Sequence, residues 1–190
     1  MKWSQLPNAL SIGRMCLVVP TVWALLMGHY PLTLLFFAVA AVTDALDGWI
    51  AKRFDWMSRL GKILDPIADK ILLGGVIITL GWLGLVPPWL VLTVVLRDVI
   101  IVSGAIAYRL WIGEVDGHPT FISKLNTLLQ LVFVLVVIAS AAWPVSVPLA
   151  VIMALGAATF VTTAVSGLDY VVCYAREALH ARRAHRRAGL

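Results

Sequence analysis

Residues 43–70 read TDALDGWIAKRFDWMSRLGKILDPIADK. This charged link closes one long apolar run and opens the next, and apolar runs of that kind make up most of the chain. Of its 190 residues, 61% are hydrophobic and 13% charged, with a mean hydropathy of +0.94. Soluble domains carry about 45–50% apolar and roughly 25% charged residues, so composition excludes an ordinary water-soluble domain. Disorder is excluded more firmly, because a disordered chain needs low hydrophobicity and high charge. The two cysteines, Cys16 and Cys173, do not make a disulfide scaffold. Both lie in apolar runs and are expected to be buried free thiols.

A membrane helix needs about 20 mostly apolar residues. Six such stretches flank or follow the link: residues 10–28, 32–50, 63–84, 89–110, 121–142 and 147–174. Gly28-His29-Tyr30-Pro31, Pro87-Pro88 and the segment from Trp143-Pro144 to Pro148 separate them with turn and helix-start signals. The runs lack the alternation of a transmembrane β-barrel. Lys2 ahead of an apolar run resembles a signal peptide, but Arg14 interrupts that run and no small-x-small cleavage site follows it. A retained first helix is expected.

The basic residues then orient the bundle. The turns after the first, third and fifth runs contain neither lysine nor arginine. The opposite side carries Lys2, then Lys52, Arg53, Arg59 and Lys62, then Arg109 and Lys124, then Arg176, Arg182, Arg183, Arg186 and Arg187. By the positive-inside rule both termini are cytoplasmic. The expected fold class is therefore an all-α integral membrane protein with six transmembrane helices and cytoplasmic N- and C-termini. It forms a single domain over residues 1–190, whose tail at about 175–190 is a basic segment suited to anionic membrane lipid. The net charge of +5 records orientation and lipid contact, with no nucleic acid as partner. Trp3, Trp82, Trp89, Trp111 and Trp143 fall near the expected interfaces, where tryptophan anchors.

Acids inside membrane helices are costly and mark functional sites. Asp44 and Asp47 are three apart at the end of the second run, and Asp65 and Asp69 four apart at the start of the third, so each pair shares a helix face. A short link makes the two helices antiparallel neighbours whose acidic faces can converge. Crowded carboxylates need positive charge between them, and hard divalent cations take such all-oxygen ligation. Neutralisation by Lys52, Arg53, Lys62 and Lys70 is the alternative, and it suits one or two acids better than four at helical spacing. Gly48 and Ala51 beside the acids, and Gly61 four residues before Asp65, would let a phosphate or nucleoside approach the backbone; packing of helices is their other use. Pro66 is expected to start or bend the third helix.

At these positions the chain resembles the CDP-alcohol phosphatidyltransferases, whose motif is D-x2-D-G-x2-A-R-x8-G-x3-D-x3-D. Asp44, Asp47, Gly48, Ala51, Lys52, Gly61, Asp65 and Asp69 match every interval, with Lys52 in place of the usual arginine and Arg53 beside it. The resemblance implies an enzyme that transfers a phosphatidyl group from CDP-diacylglycerol to an alcohol and releases CMP. It implies two Mg²⁺ or Mn²⁺ ions on Asp44, Asp47, Asp65 and Asp69, with Asp65 and Asp69 catalytic and Asp69 as the base. Gly48, Ala51, Lys52 and Gly61 would line the cytidine nucleotide site. A homodimer is also implied, in a bacterial inner membrane with the active site at the cytoplasmic face.

For the acceptor, Arg97, Arg109 and Lys124 are the candidate phosphate binders, although Arg97 beside Asp98 also suits a local charge pair. Residues 117–127, with Arg97-Asp98-Val99, look like the CMP-forming cardiolipin synthases, whose acceptor is phosphatidylglycerol. The phosphatidylglycerophosphate synthases, which use glycerol 3-phosphate, are similar across the motif. Cardiolipin synthesis is favoured here, and it requires a lateral opening for a second diacyl lipid. A small cation transporter or channel also buries acids, but it tends to place them near the bilayer midplane with internal repeats. Neither feature is present in this sequence.

Overall fold

The computed structural model describes the backbone of residues 6–54, 61–111, 121–143 and 147–188, and the side chains of residues 13–44, 70–104, 121–143 and 147–172. Within them lie six helices: α1 (Leu6–Leu26), α2 (Tyr30–Phe54), α3 (Gly61–Trp82), α4 (Pro88–Trp111), α5 (Phe121–Ala142) and α6 (Leu149–Ala188). Each expected apolar run is one helix.

Two boundaries differ from expectation. α3 begins at Gly61, five residues before Pro66, so the proline does not start the helix. This near the N-terminus, the missing proline N–H costs one ladder bond, close to where several N–H groups are unpaired anyway. α6 continues through the basic tail for 40 residues, about 60 Å at 1.5 Å per residue. That is roughly twice a bilayer's hydrocarbon thickness of about 30 Å.

Two of the hairpin turns are built alike. Gly28 and Gly84 both have φ of 74°, a left-handed conformation that glycine adopts without a Cβ penalty. At the first, Gly28 N–H donates to the Leu25 carbonyl and His29 N–H to the Ala24 carbonyl; at the second, Gly84 donates to Gly81 and Leu85 to Leu80. This paired pattern caps a helix C-terminus and reverses the chain.

α1 packs against α2 and α3, and α6 against α4 and α5; α2 meets α5, and α3 meets α4, across the middle. The core holds Leu25, Phe37, Val76, Ile77, Leu80, Val94, Phe133 and Ile138. α3 and α4 approach closely near their turn, where a Cβ on Gly81 would stand 2.6 Å from Val91 Cγ2.

The distribution of polarity is reversed from that of a soluble bundle. Trp82 is 85% exposed, Phe121 78%, Leu168 67% and Leu92 66%, while Arg14, Arg97, Asn126 and Gln130 are buried. A large exposed apolar surface is what lipid covers. Among the described residues, Phe121–Ala142 and Leu149–Val172 are long and apolar enough to cross a membrane. Trp82, Trp89 and Trp143 are exposed around the turns, as interface anchors require.

Cys16 corrects the expectation of a buried thiol, because its side chain is exposed on α1. In a membrane helix an apolar position can face lipid as well as protein, so hydrophobic surroundings in sequence do not imply burial. Cys173 lies outside the described side chains.

Candidate active site

Asp44 sits on α2 with its side chain 41% exposed. Its Oδ1 accepts a hydrogen bond from Nη1 of Arg14 on α1, and Arg14 is itself 1% exposed. A fully buried arginine thus fixes one oxygen of the first motif acid. Oδ2 has no protein partner among the described residues, so it can accept a cation. Asp47, Gly48, Ala51 and Lys52 follow on the last turns of α2, and Gly61, Asp65 and Asp69 on the first turns of α3. Their side chains lie outside the described residues. α1, which supplies Arg14, packs against both α2 and α3, and α5 touches both more sparingly. Among the described residues α2 and α3 do not pack extensively on each other, so the expected direct pairing of these two helices is replaced by packing through α1.

A second polar tier crosses the other four helices. Lys70, the residue after Asp69, lies 3.3 Å from Asp98 of α4. It therefore pairs with Asp98 instead of a described motif acid. Asp98 also accepts from Arg97 Nη1 at 2.7 Å, which is the local pair anticipated from their adjacency. Arg97 does more than that. Its Nη2 donates to Ser123 Oγ of α5 at 2.7 Å and to Ser166 Oγ of α6 at 3.1 Å. The guanidinium is 6% exposed, and its Nε is without a protein partner among the described residues. Among the described residues, this tier sets two cations against one carboxylate.

Of the other acceptor candidates, Lys124 follows Ser123 on α5 and is exposed. Arg109 is on α4, with its side chain outside the described residues. Among the described side chains, Arg97 is joined through Asp98 to Lys70, and Lys124 is not part of that network.

Beside Lys70 and Asp98, an apolar groove of about 550 Å³ opens between α3 and α4, floored by residues such as Ile71, Gly74 and Val99. It is open laterally, on the face where the bundle would meet lipid.

Sequence reasoning missed Arg14 as a partner of the motif, and Ser123 and Ser166 as partners of Arg97. A lone arginine in an apolar helix and isolated serines in apolar runs were the available signals. Neither indicates which helix it faces.

The described residues form a helical bundle with an apolar exterior and buried cations, which carries the acidic motif on α2 and α3. The chain belongs to the CDP-alcohol phosphatidyltransferase family, whose pattern it matches over residues 4–173. It is 32% identical over 88% of its length to a probable CMP-forming cardiolipin synthase of Drosophila melanogaster, covering 56% of that protein. It is 34% identical over 68% of its length to a CMP-forming cardiolipin synthase of Rattus norvegicus, covering 48% of it. A probable phosphatidylglycerophosphate synthase of Mycobacterium tuberculosis is 30% identical over 88% of this chain and 80% of its own. The chain therefore spans about half the length of the fly and rat relatives and most of the bacterial one.

Proposed function

We propose that the chain is a phosphatidyltransferase that moves a phosphatidyl group from CDP-diacylglycerol to an alcohol and releases CMP. The observation that carries this reading is the eight-position motif on α2 and α3, whose first acid is braced by the buried Arg14. The proposed frame is six membrane spans with both termini cytoplasmic, in a bacterial inner membrane, as a homodimer. The absence of lysine and arginine from the three predicted external turns supports that orientation.

The donor set fits hard divalent cations, since the motif offers four carboxylates and Asp44 keeps one oxygen free of described protein partners. Asp44, Asp47, Asp65 and Asp69 would hold two Mg²⁺ or Mn²⁺ ions, which when bound supply positive charge against the pyrophosphate and the departing CMP. The chain's own groups do the rest. Gly48, Ala51 and Gly61 leave room for the nucleotide, and Lys52 adds charge beside it. Asp69 takes the proton of the acceptor hydroxyl as its oxygen bonds to the phosphorus that carries diacylglycerol. The bond from that phosphorus to the CMP oxygen breaks, and CMP leaves with the electron pair. Arg97 meets the acceptor phosphate, supported by the two cations that face one carboxylate among the described residues of its tier. Arg109 and Lys124 add positive charge toward the cytoplasm.

Phosphatidylglycerol is the favoured acceptor, which makes the chain a cardiolipin synthase. The laterally open groove between α3 and α4 supports it, because a diacyl acceptor must enter from the bilayer and lay its chains against apolar side chains. Glycerol 3-phosphate is the second reading, supported by the similarity to the probable phosphatidylglycerophosphate synthase, of which the chain covers 80%.

The test incubates purified full-length protein with CDP-diacylglycerol and Mg²⁺ or Mn²⁺, offering phosphatidylglycerol and glycerol 3-phosphate separately. CMP release with phosphatidylglycerol alone is expected. Release with glycerol 3-phosphate alone moves the acceptor to the second reading, and release with neither under both metals overturns the function.

A further inference from the structure

α5 and α6 run antiparallel, and their polar residues meet in register. Ser123 and Ser166 share the Arg97 Nη2. One turn further along α5, Asn126 Oδ1 accepts from Thr163 Oγ1 at 2.8 Å and Thr162 Oγ1 at 2.9 Å. Four residues on from Asn126 is Gln130, and four back from Thr163 is Thr159. Three more steps each way bring Phe133 to Gly156, where a Cβ would stand 3.4 Å from the phenyl Cε2. The pairs before and after are in contact, so Gln130 and Thr159 occupy one rung between them.

That rung has no protein hydrogen bond among the described residues. Gln130 Nε2 and Thr159 Oγ1 are buried without a partner, as are Asn126 Nδ2 one turn away and Arg97 Nε a further turn on. Gln130 is 1% exposed, Asn126 and Thr159 0%, and Arg97 6%. Thr159 is unusual among its neighbours. Thr163 gives its hydroxyl to Asn126 Oδ1, whereas the Thr159 hydroxyl reaches neither a side chain nor its own helix among the described residues.

A buried polar group left unpaired costs on the order of 1–3 kcal/mol, and here four such atoms follow a single seam. Three of them are N–H donors, so the missing partner presents oxygen lone pairs. The fourth is a hydroxyl, which can accept in return. Water satisfies both demands and is the smallest group that does, and buried waters in proteins typically make about three hydrogen bonds to groups otherwise unsatisfied. We propose that the α5–α6 seam is an internal hydration site, in which ordered water bridges Gln130, Thr159 and Asn126 and continues toward the Arg97 Nε. The Phe133–Gly156 contact closes its far end. The site also gives the Arg97 charge the hydration that a buried cation at membrane depth requires. It stands apart from the choice of acceptor and from the metal site.

Hydroxyl radicals made by a brief X-ray pulse from ordered internal water label the side chains beside that water. Phe133 and Phe37 are a matched pair from the apolar core, 2% and 1% exposed, of which Phe133 also borders the end of the seam at Gly156. In full-length protein in lipid nanodiscs, Phe133 is expected to be labelled several-fold faster than Phe37. The double variant Gln130→Leu, Thr159→Val should bring Phe133 down to the Phe37 rate while leaving the exposed Trp82 unchanged. Equal rates for the two phenylalanines in the unaltered protein overturn the proposal. So does a Phe133 rate that the double variant leaves unchanged. Should the variant not fold, the comparison within the unaltered protein still decides.

Discussion

Arg14 of α1 donates to Asp44 of α2, so the first acid of the motif is held by a helix that carries no part of the motif. Arg14 is buried and Asp44 partly exposed. The arginine therefore fixes the orientation of a carboxylate whose other oxygen stays available. Supporting partners of this kind commonly tune metal affinity by about 10–100-fold.

Arg14→Gln should accordingly shift the Mg²⁺ dependence of CMP release to higher concentration by at least about tenfold, with near-normal turnover at saturating metal. Arg14→Lys should lie between the two. A metal titration of purified variants measures this, and an unchanged midpoint would remove the positioning role of Arg14.

Asp65→Asn and Asp69→Asn should each abolish CMP release in protein that still inserts normally. The amide keeps size and polarity but neither carries the charge that binds a cation nor accepts a proton as a base. Membrane extraction and gel-filtration profiles matching the unaltered protein separate loss of chemistry from loss of fold. Undiminished turnover in either variant would contradict the metal-site assignment.

Arg97→Lys should raise the KM for the acceptor about tenfold, equivalent to ~1.4 kcal/mol, and leave the KM for CDP-diacylglycerol nearly unchanged. An ammonium is a point charge, not a planar fork, and cannot satisfy Ser123, Ser166 and Asp98 together as the guanidinium does. Steady-state kinetics with each substrate varied in turn read the difference. Equal effects on both KM values would make Arg97 a structural node only.

Gly81→Ala places a methyl group against Val91 Cγ2, where a separation of 2.6 Å is shorter than real Cβ contacts. Overpacking of this kind costs about 1–3 kcal/mol. The variant should melt at lower temperature in detergent, and adding Val91→Ala should recover most of the loss. No recovery would place the strain elsewhere.

The orientation can be tested directly. In a background of Cys16→Ser and Cys173→Ser, cysteines introduced at Ser58 and His185 should react with a membrane-impermeant maleimide only in inverted vesicles. Cysteines at His29 and Trp143 should react only from the opposite side. The reverse pattern would invert the bundle.

Much of the architecture follows from local pattern. Each of the six apolar runs is one helix, and Gly28 and Gly84 turn the chain where their neighbours mark a break. The motif was legible because its information lies in intervals along two consecutive helices, and a helix turns fixed spacing into a shared face. Burial was less legible. Cys16 is exposed despite its apolar neighbours, since hydropathy does not distinguish a lipid-facing position from a core one. The end of α6 was also missed, because a charged tail that leaves an apolar run can remain helical beyond it.

The sequence by itself determined the helices, their order and the acidic motif, because backbone bonding and hydrophobic length act within a segment. Only the tertiary structure decided which polar groups meet. Arg14 reaches Asp44 across 30 positions, and Arg97 reaches Ser166 across 69. Such pairs depend on how apolar faces dock, and that docking brings a few isolated polar residues out of separate helices into contact in an otherwise apolar interior.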